Sequence, residues 1–182
     1  TIHLHYPDTG CVDIDGHVRS GLLSITISDV LTSTGAQAWI KSNDFTDGSL
    51  RYRFAITDST TGMDSLRMRI DSSFVWYQGD WSRRIRGTAN WIMTAGQGDS
   101  TYTDDAYSIS TSFSGGDRYG VPYTCASGTP LTFAIACPWI SAGTETIDPD
   151  DHDPRELDYG SGACDAHVDF QAEGQDFGLT IP

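Results

Sequence analysis

The chain has 182 residues, with 11 Lys or Arg against 25 Asp or Glu and a formal charge of −14. That length makes one domain with a sizeable core, and the charge opposes nucleic acid and anionic membrane surfaces as default partners. No apolar run approaches the ~20 residues of a membrane-spanning helix. Of the acids 22 are Asp, and Lys41 is the only lysine, amid abundant Ser, Thr and Gly. These residues favour turns, caps and strands over helix interiors, so the composition predicts an all-β chain with almost no helix.

In chain order, the first segment (1–6) alternates cleanly, placing Ile2, Leu4 and Tyr6 on one face and His3 and His5 on the other. It begins at Thr1 without an apolar leader and reads as a mature or trimmed product. A second strand is expected over 21–29. Leu50, Tyr52, Phe54 and Ile56 then alternate with Arg51, Arg53 and Ala55, and Leu66, Met68 and Ile70 interleave Arg67 and Arg69. Between them, residues 57–62 have turn composition, which reads as a hairpin. Two neighbouring strands thus carry arginines on one face. That is either an anion-binding stripe or a solvated outer face paired with aspartates, and the abundance of Asp favours the second.

Further strands are expected at 74–78, 83–94, 105–113, 119–126, 131–147, 155–159, 166–171 and 176–181, separated by Gly, Pro or Asp clusters. Short connections favour antiparallel neighbours, because a parallel pair needs a long crossover. The expected fold is one all-β domain over 1–182, an antiparallel meander of about ten or more strands, forming a sandwich or curved sheet.

Four cysteines without C-x-x-C spacing point to two disulfides in an oxidising compartment. The favoured pairing is Cys137 with Cys164, which brackets consecutive strands, and Cys11 with Cys125. The turn carrying Asp148, Asp150, Asp151 and Asp153 concentrates oxygen ligands suited to calcium, and equally suits a solvated hairpin tip. Of the five tryptophans, Trp39, Trp91 and Trp139 each precede an isoleucine within expected strands and read as packing residues. Trp76 and Trp81, with Tyr77 beside them, are the candidates for stacking on a glycan ring. No nucleophile elbow, phosphate loop or metalloprotease motif occurs, so no catalytic residue is assigned and no enzyme is expected.

The segment Cys137-Pro138-Trp139-Ile140 with Gly143-Thr144 and Ile147, followed by Leu157-Asp158-Tyr159-Gly160-Ser161-Gly162-Ala163-Cys164-Asp165, resembles uncharacterised cell-envelope lipoproteins of Bacteroidetes-type bacteria. The opening hairpin, from Gly10-Cys11-Val12-Asp13 to the strand at Leu22, is similar to that family's first hairpin. The resemblance implies a β-rich exported domain, often lipid-anchored upstream, with no assigned activity. It carries no functional residue over. Cys125 and the acidity of the 148–153 turn depart from its pattern.

The leading functional expectation is a non-enzymatic structural protein of the cell surface or an extracellular assembly. It would self-associate, or join other surface proteins, by strand addition at Ile2, Leu4 and Tyr6. The alternative is a carbohydrate-binding or adhesin module using Trp76, Tyr77 and Trp81, with calcium at the acidic turn.

Overall fold

A computed structural model describes residues 1–12, 16–77, 81–98 and 101–181, and of Trp81 only the backbone. The strands are β1 (Ile2–Val12), β2 (Val18–Ile27), β3 (Gln37–Asp47), β4 (Leu50–Gly62), β5 (Ser65–Tyr77) and β6 (Trp81–Ala95). They continue as β7 (Ala106–Gly116), β8 (Pro122–Ala134), β9 (Ile140–Pro149), β10 (Arg155–Ser161), β11 (His167–Ala172) and β12 (Gln175–Thr180). All 12 form one sheet in sequence order, and every pair is antiparallel. Helical structure among the described residues is one 3₁₀ turn, Tyr102–Asp104.

Residues opposite one another on adjacent strands share a face, so the register can be followed across the sheet. One row runs Ile2, Ile25, Ile40, Ile56, Ile70, Gly87, Phe113, Cys125, Ile147. A row on the other face runs Thr26, Trp39, Thr57, Arg69, Thr88, Ser112, Ala126, Thr146, Glu156, Gln171, Asp176. The sheet therefore has one apolar and one polar face over nearly its whole width.

The core is a single layer of side chains on the apolar face. Ala89, Ile109 and Leu131 form its buried centre, ringed by Met68, Trp91, Tyr107, Phe133 and Tyr159. Trp91 meets Tyr107 and Phe133 edge to face at 5.9 and 6.1 Å. Toward the N-terminal edge the same face carries the aromatic run Tyr6, Phe45, Tyr52, at 5.7 and 6.0 Å. With a single layer, only Val168 among the described residues is both large and fully buried. The accessible surface is 11191 Å², whereas a compact 19.8 kDa monomer leaves about 8,600 Å².

Bulges at the strand pairings correct several expectations. Beyond the strand placement of Trp39-Ile40 the sequence does not outline β3, because its alternation breaks at Asn43-Asp44, where Asp44 takes φ 51°. Gly21 lies against that bulge, and a Cβ there would strike the Asp44 carbonyl. Residues 57–62 are strand, not turn; the turn is Met63-Asp64, and Thr60 is buried with its hydroxyl donating to the Leu31 carbonyl. The strands expected at 66–70 and 74–78 are one strand, β5, running through a bulge. The expected strand 131–147 is divided by a turn at 135–139 between β8 and β9.

Cys137 and Cys164 form a disulfide with Cα atoms 5.8 Å apart, joining the β8–β9 turn to the β10–β11 turn. In a meander alternate turns lie at the same end, which brings these two together. Cys11 and Cys125 are free thiols, contrary to the expected second bridge. They sit on β1 and β8, seven strand spacings or about 34 Å across the sheet, far beyond disulfide reach.

Candidate functional site

Both edges of the sheet are open. β1 and β12 each pair with one neighbour, leaving a row of backbone donors and acceptors uncovered. The apolar face is also most exposed there: Ile2 and Leu4 are 53 % and 42 % exposed, and Phe177 and Leu179 48 % and 43 %. Phe177 packs on Phe170 of β11 at 6.2 Å, and Leu179 lies opposite the buried Val168, so β12 continues the apolar layer outward. Tyr6 does the same at the other edge, covered on one side by Phe45. Charged side chains that would blunt an edge are absent from this face at Ile2, Leu4, Phe177 and Leu179.

The polar face holds the second feature. Lys41 of β3, Arg51 and Arg53 of β4, Arg67 and Arg69 of β5, and Arg84 and Arg86 of β6 lie on it by register. Arg51 is paired with Asp44 and Arg69 with Asp71. Arg86 Nε donates to Ser114 Oγ at 3.2 Å. Among the described residues Arg53, Arg67 and Arg84 have no carboxylate partner. A molecule of charge −14 thus gathers most of its cations on one side of four strands. Asp44 and Asp71 lie within this tract and Asp150 borders it beside Arg84 and Arg86, whereas Glu156, Asp158, Asp169 and Asp176 group apart from it on β10–β12 around a shallow depression.

Within this cationic tract the Phe74 and Trp76 rings stack at 5.6 Å and 13°. Trp76 is opposite Arg51 and Ser82, and Phe74 is opposite Arg53 and Arg84. The pair forms a half-buried aromatic strip with guanidinium groups on both sides. A cleft of about 650 Å³ runs beside it, lined by Asn43, Asp44, Thr46, Arg51, Arg53 and Trp76. A second, of about 560 Å³, follows along Trp39, Lys41, Thr57, Arg67 and Arg69.

The residues expected to bind a glycan are divided by this geometry. Trp76 is on the polar face, while Tyr77, adjacent in β5, points to the other face. Residues 78–80 and the Trp81 side chain lie outside the described residues; the Trp81 backbone pairs with Tyr77, not Trp76. Phe74, Arg84 and Arg86 were not singled out by sequence. The alternation of Phe74 with Trp76, and of Arg84 with Arg86, was the available signal. Trp91 packs in the core as expected; Trp39 stands half-buried on the polar face of β3 between Thr26 and Thr57, and Trp139 lies in the turn before β9, not in a strand.

At the acidic turn, Asp148 ends β9 and Asp150, Asp151 and Asp153 occupy the turn, where Asp151 bonds His152 Nδ1 at 2.6 Å. Among the described residues no three His, Cys, Asp or Glu side chains converge in metal-ligand geometry.

The apolar face holds one polar knot. Glu145 accepts hydrogen bonds from Thr111 Oγ1 at 2.8 Å and Tyr159 Oη at 3.1 Å. Burial, then the Glu145 carboxylate, raises the Tyr159 phenol above its usual range. The same two causes push the Cys125 thiol up to about 11. That thiol stays protonated and unreactive at neutral pH. The knot ties β7, β9 and β10 together.

Fold and faces together define a single-layer, amphipathic β-meander with open edges and a cationic polar tract. No protein-family model, curated protein or solved structure matches the chain. No helix among the described residues is long and apolar enough to cross a membrane.

Proposed function

We propose that the protein is a non-enzymatic structural subunit of an extracellular or cell-surface assembly, joined to further copies by sheet continuation between β12 and β1. The observation that carries this reading is the pair of open edges, each extending the same apolar layer and each most exposed on that face. Because the strand count is even, β12 of one copy and β1 of the next run antiparallel when the copies are related by simple repetition. The junction then has the same pairing type as every other in the sheet. Such a contact is heterologous and does not close, so it propagates as a filament. The disulfide and the resemblance of the C-terminal segment to envelope lipoproteins support export.

The test is light scattering across a concentration series together with negative-stain electron microscopy. The unmodified chain is expected to elongate with concentration. Ile2→Lys/Leu4→Lys and Phe177→Lys/Leu179→Lys are each expected to hold it monomeric with an unchanged far-UV circular dichroism spectrum, since an edge lysine blocks pairing. A chain that stays monomeric at every concentration, or edge variants that elongate as before, would overturn the proposal.

A further inference from the structure

The geometry points to a binding site for a short anionic saccharide, sulfated or carboxylated, on the polar face at the Phe74–Trp76 strip. This site is independent of the sheet edges and of whether copies associate. Three observations converge on it. The two rings are stacked and half-buried, so they brace one another and leave an outer ring face and the ring edges as a firm apolar surface against which a pyranose ring can rest. Arg53 and Arg84 lie opposite Phe74 on its two flanking strands, which puts their Cα atoms about 10 Å apart, the length of roughly two sugar rings. Both are exposed and lack a carboxylate partner among the described residues, so neither must break an ion pair to meet a ligand anion. The adjoining cleft adds Asn43 and Thr46, whose side chains match ring hydroxyls.

The charge distribution selects the length of the ligand. The cations are in excess over β3–β6, where Asp44 and Asp71 are already taken up by Arg51 and Arg69, whereas Glu156, Asp158, Asp169 and Asp176 occupy the same face over β10–β12. A long, stiff polyphosphate laid across the strands would meet this repulsive region; an oligosaccharide of a few rings stays within the cationic part.

The experiment is titration calorimetry and tryptophan fluorescence with a size-defined heparin tetrasaccharide, at about 50 mM salt where screening is weak. A neutral cellotetraose and a short oligothymidylate of similar length serve as comparison probes. The expected result is binding of the sulfated tetrasaccharide with a change in indole emission, and at least about tenfold weaker binding of the other two. Arg53→Gln/Arg84→Gln, two exposed positions that leave folding intact, is expected to raise Kd at least about tenfold and to flatten its salt dependence. Trp76→Ala is expected to weaken binding and abolish the emission change, Trp76→Phe to restore most of the affinity, and Arg155→Gln, on β10 and on the opposite face, to leave it unchanged. Failure of the tetrasaccharide to bind below about 1 mM, equal binding of the neutral sugar or the oligothymidylate, or an Arg53/Arg84 variant with unchanged Kd would overturn the inference.

Discussion

Removal of the Cys137–Cys164 bridge tests the single-layer architecture. The bond closes a loop with a sequence separation of 27 residues. On the chain-entropy relation such a loop restricts the unfolded state by about 12 cal/mol/K, or about 3.5 kcal/mol at 25 °C. Across 182 residues the unfolding entropy near 60 °C is about 380 cal/mol/K, so the loss corresponds to roughly 9 °C in Tm. Cys137→Ala/Cys164→Ala, or dithiothreitol acting on the unmodified chain, is therefore expected to lower Tm by about 9 °C in scanning calorimetry. The effect has a place as well as a size. The bridge spans β9 and β10, and each strand contacts chiefly its sequence neighbours, so destabilisation spreads from strand to strand and fades with distance. Hydrogen exchange is expected to accelerate in β9–β12 and to change little in β2–β5. A Tm shift below about 2 °C, or loss of protection spread evenly over the sheet, would refute this reasoning.

Four further outcomes follow from local environments. Cys11 is exposed and Cys125 half-buried with its thiol at about 11, so iodoacetamide at pH 8 is expected to label Cys11 first. Cys125, about one part in a thousand thiolate at that pH, is expected to react only on unfolding, as peptide mass spectrometry would record. Cys125 and Tyr52, Tyr107, Tyr123 and Tyr159 all have raised pKa values, from 9.0 for the thiol and 10.0 for the phenols. The native state then holds protons that the unfolded chain releases. Stability by urea titration should be intact below about pH 9 and fall as pH rises beyond it. Asp58 lies on the apolar face opposite Ala38 and Met68, with Oδ1 buried and unpartnered among the described residues, and burial raises its pKa. Its charge costs stability above the unfolded carboxyl pKa, so Asp58→Asn is expected to raise Tm at pH 7 and leave it unchanged near pH 3. Gly143 has φ 103°, and a Cβ there would lie 2.8 Å from the Leu131 Cα in the core, so Gly143→Ala should cost about 3 kcal/mol in chemical denaturation.

The strand class was legible because Leu50–Ile56 and Leu66–Ile70 alternate without interruption, and their arginines fall on the polar face as the pattern implied. Bulges obscured much of the rest. Each inserts a residue and reverses the parity of everything beyond it, so β5 reads as two unrelated strands and β3 shows only its Trp39-Ile40 start. Turn composition misled at residues 57–62 because Thr60 spends its hydroxyl on Leu31 rather than on a local turn. The aromatic strip was half visible. Trp76 was recognisable, but the run Trp81-Ser82-Arg83-Arg84 does not reveal that Ser82 and Arg84, not Trp81, stand beside Trp76 and Phe74. The cysteines divided likewise: near neighbours in the meander paired, whereas a bridge from β1 to β8 would have required a fold that returns on itself.

The two faces have opposite relations to assembly. Adding a copy at an edge covers β1, β12 and the exposed apolar side chains beside them, yet leaves the polar face of β3–β6 untouched. Every added copy therefore presents another Phe74–Trp76 strip, displaced by twelve strands, at most about 58 Å along an untwisted sheet. A site that holds a short saccharide weakly would then be repeated on one side of the filament. A flexible chain carrying several anionic segments would engage successive sites at a high effective concentration, while an isolated oligosaccharide would gain nothing from the neighbours. Comparing the affinity of a long sulfated polysaccharide for edge-blocked monomers and for assembled chains separates the two contributions. If the lattice supplies avidity, only the long polymer binds the assembled form more tightly, and Arg53→Gln/Arg84→Gln removes that gain without shortening the filaments.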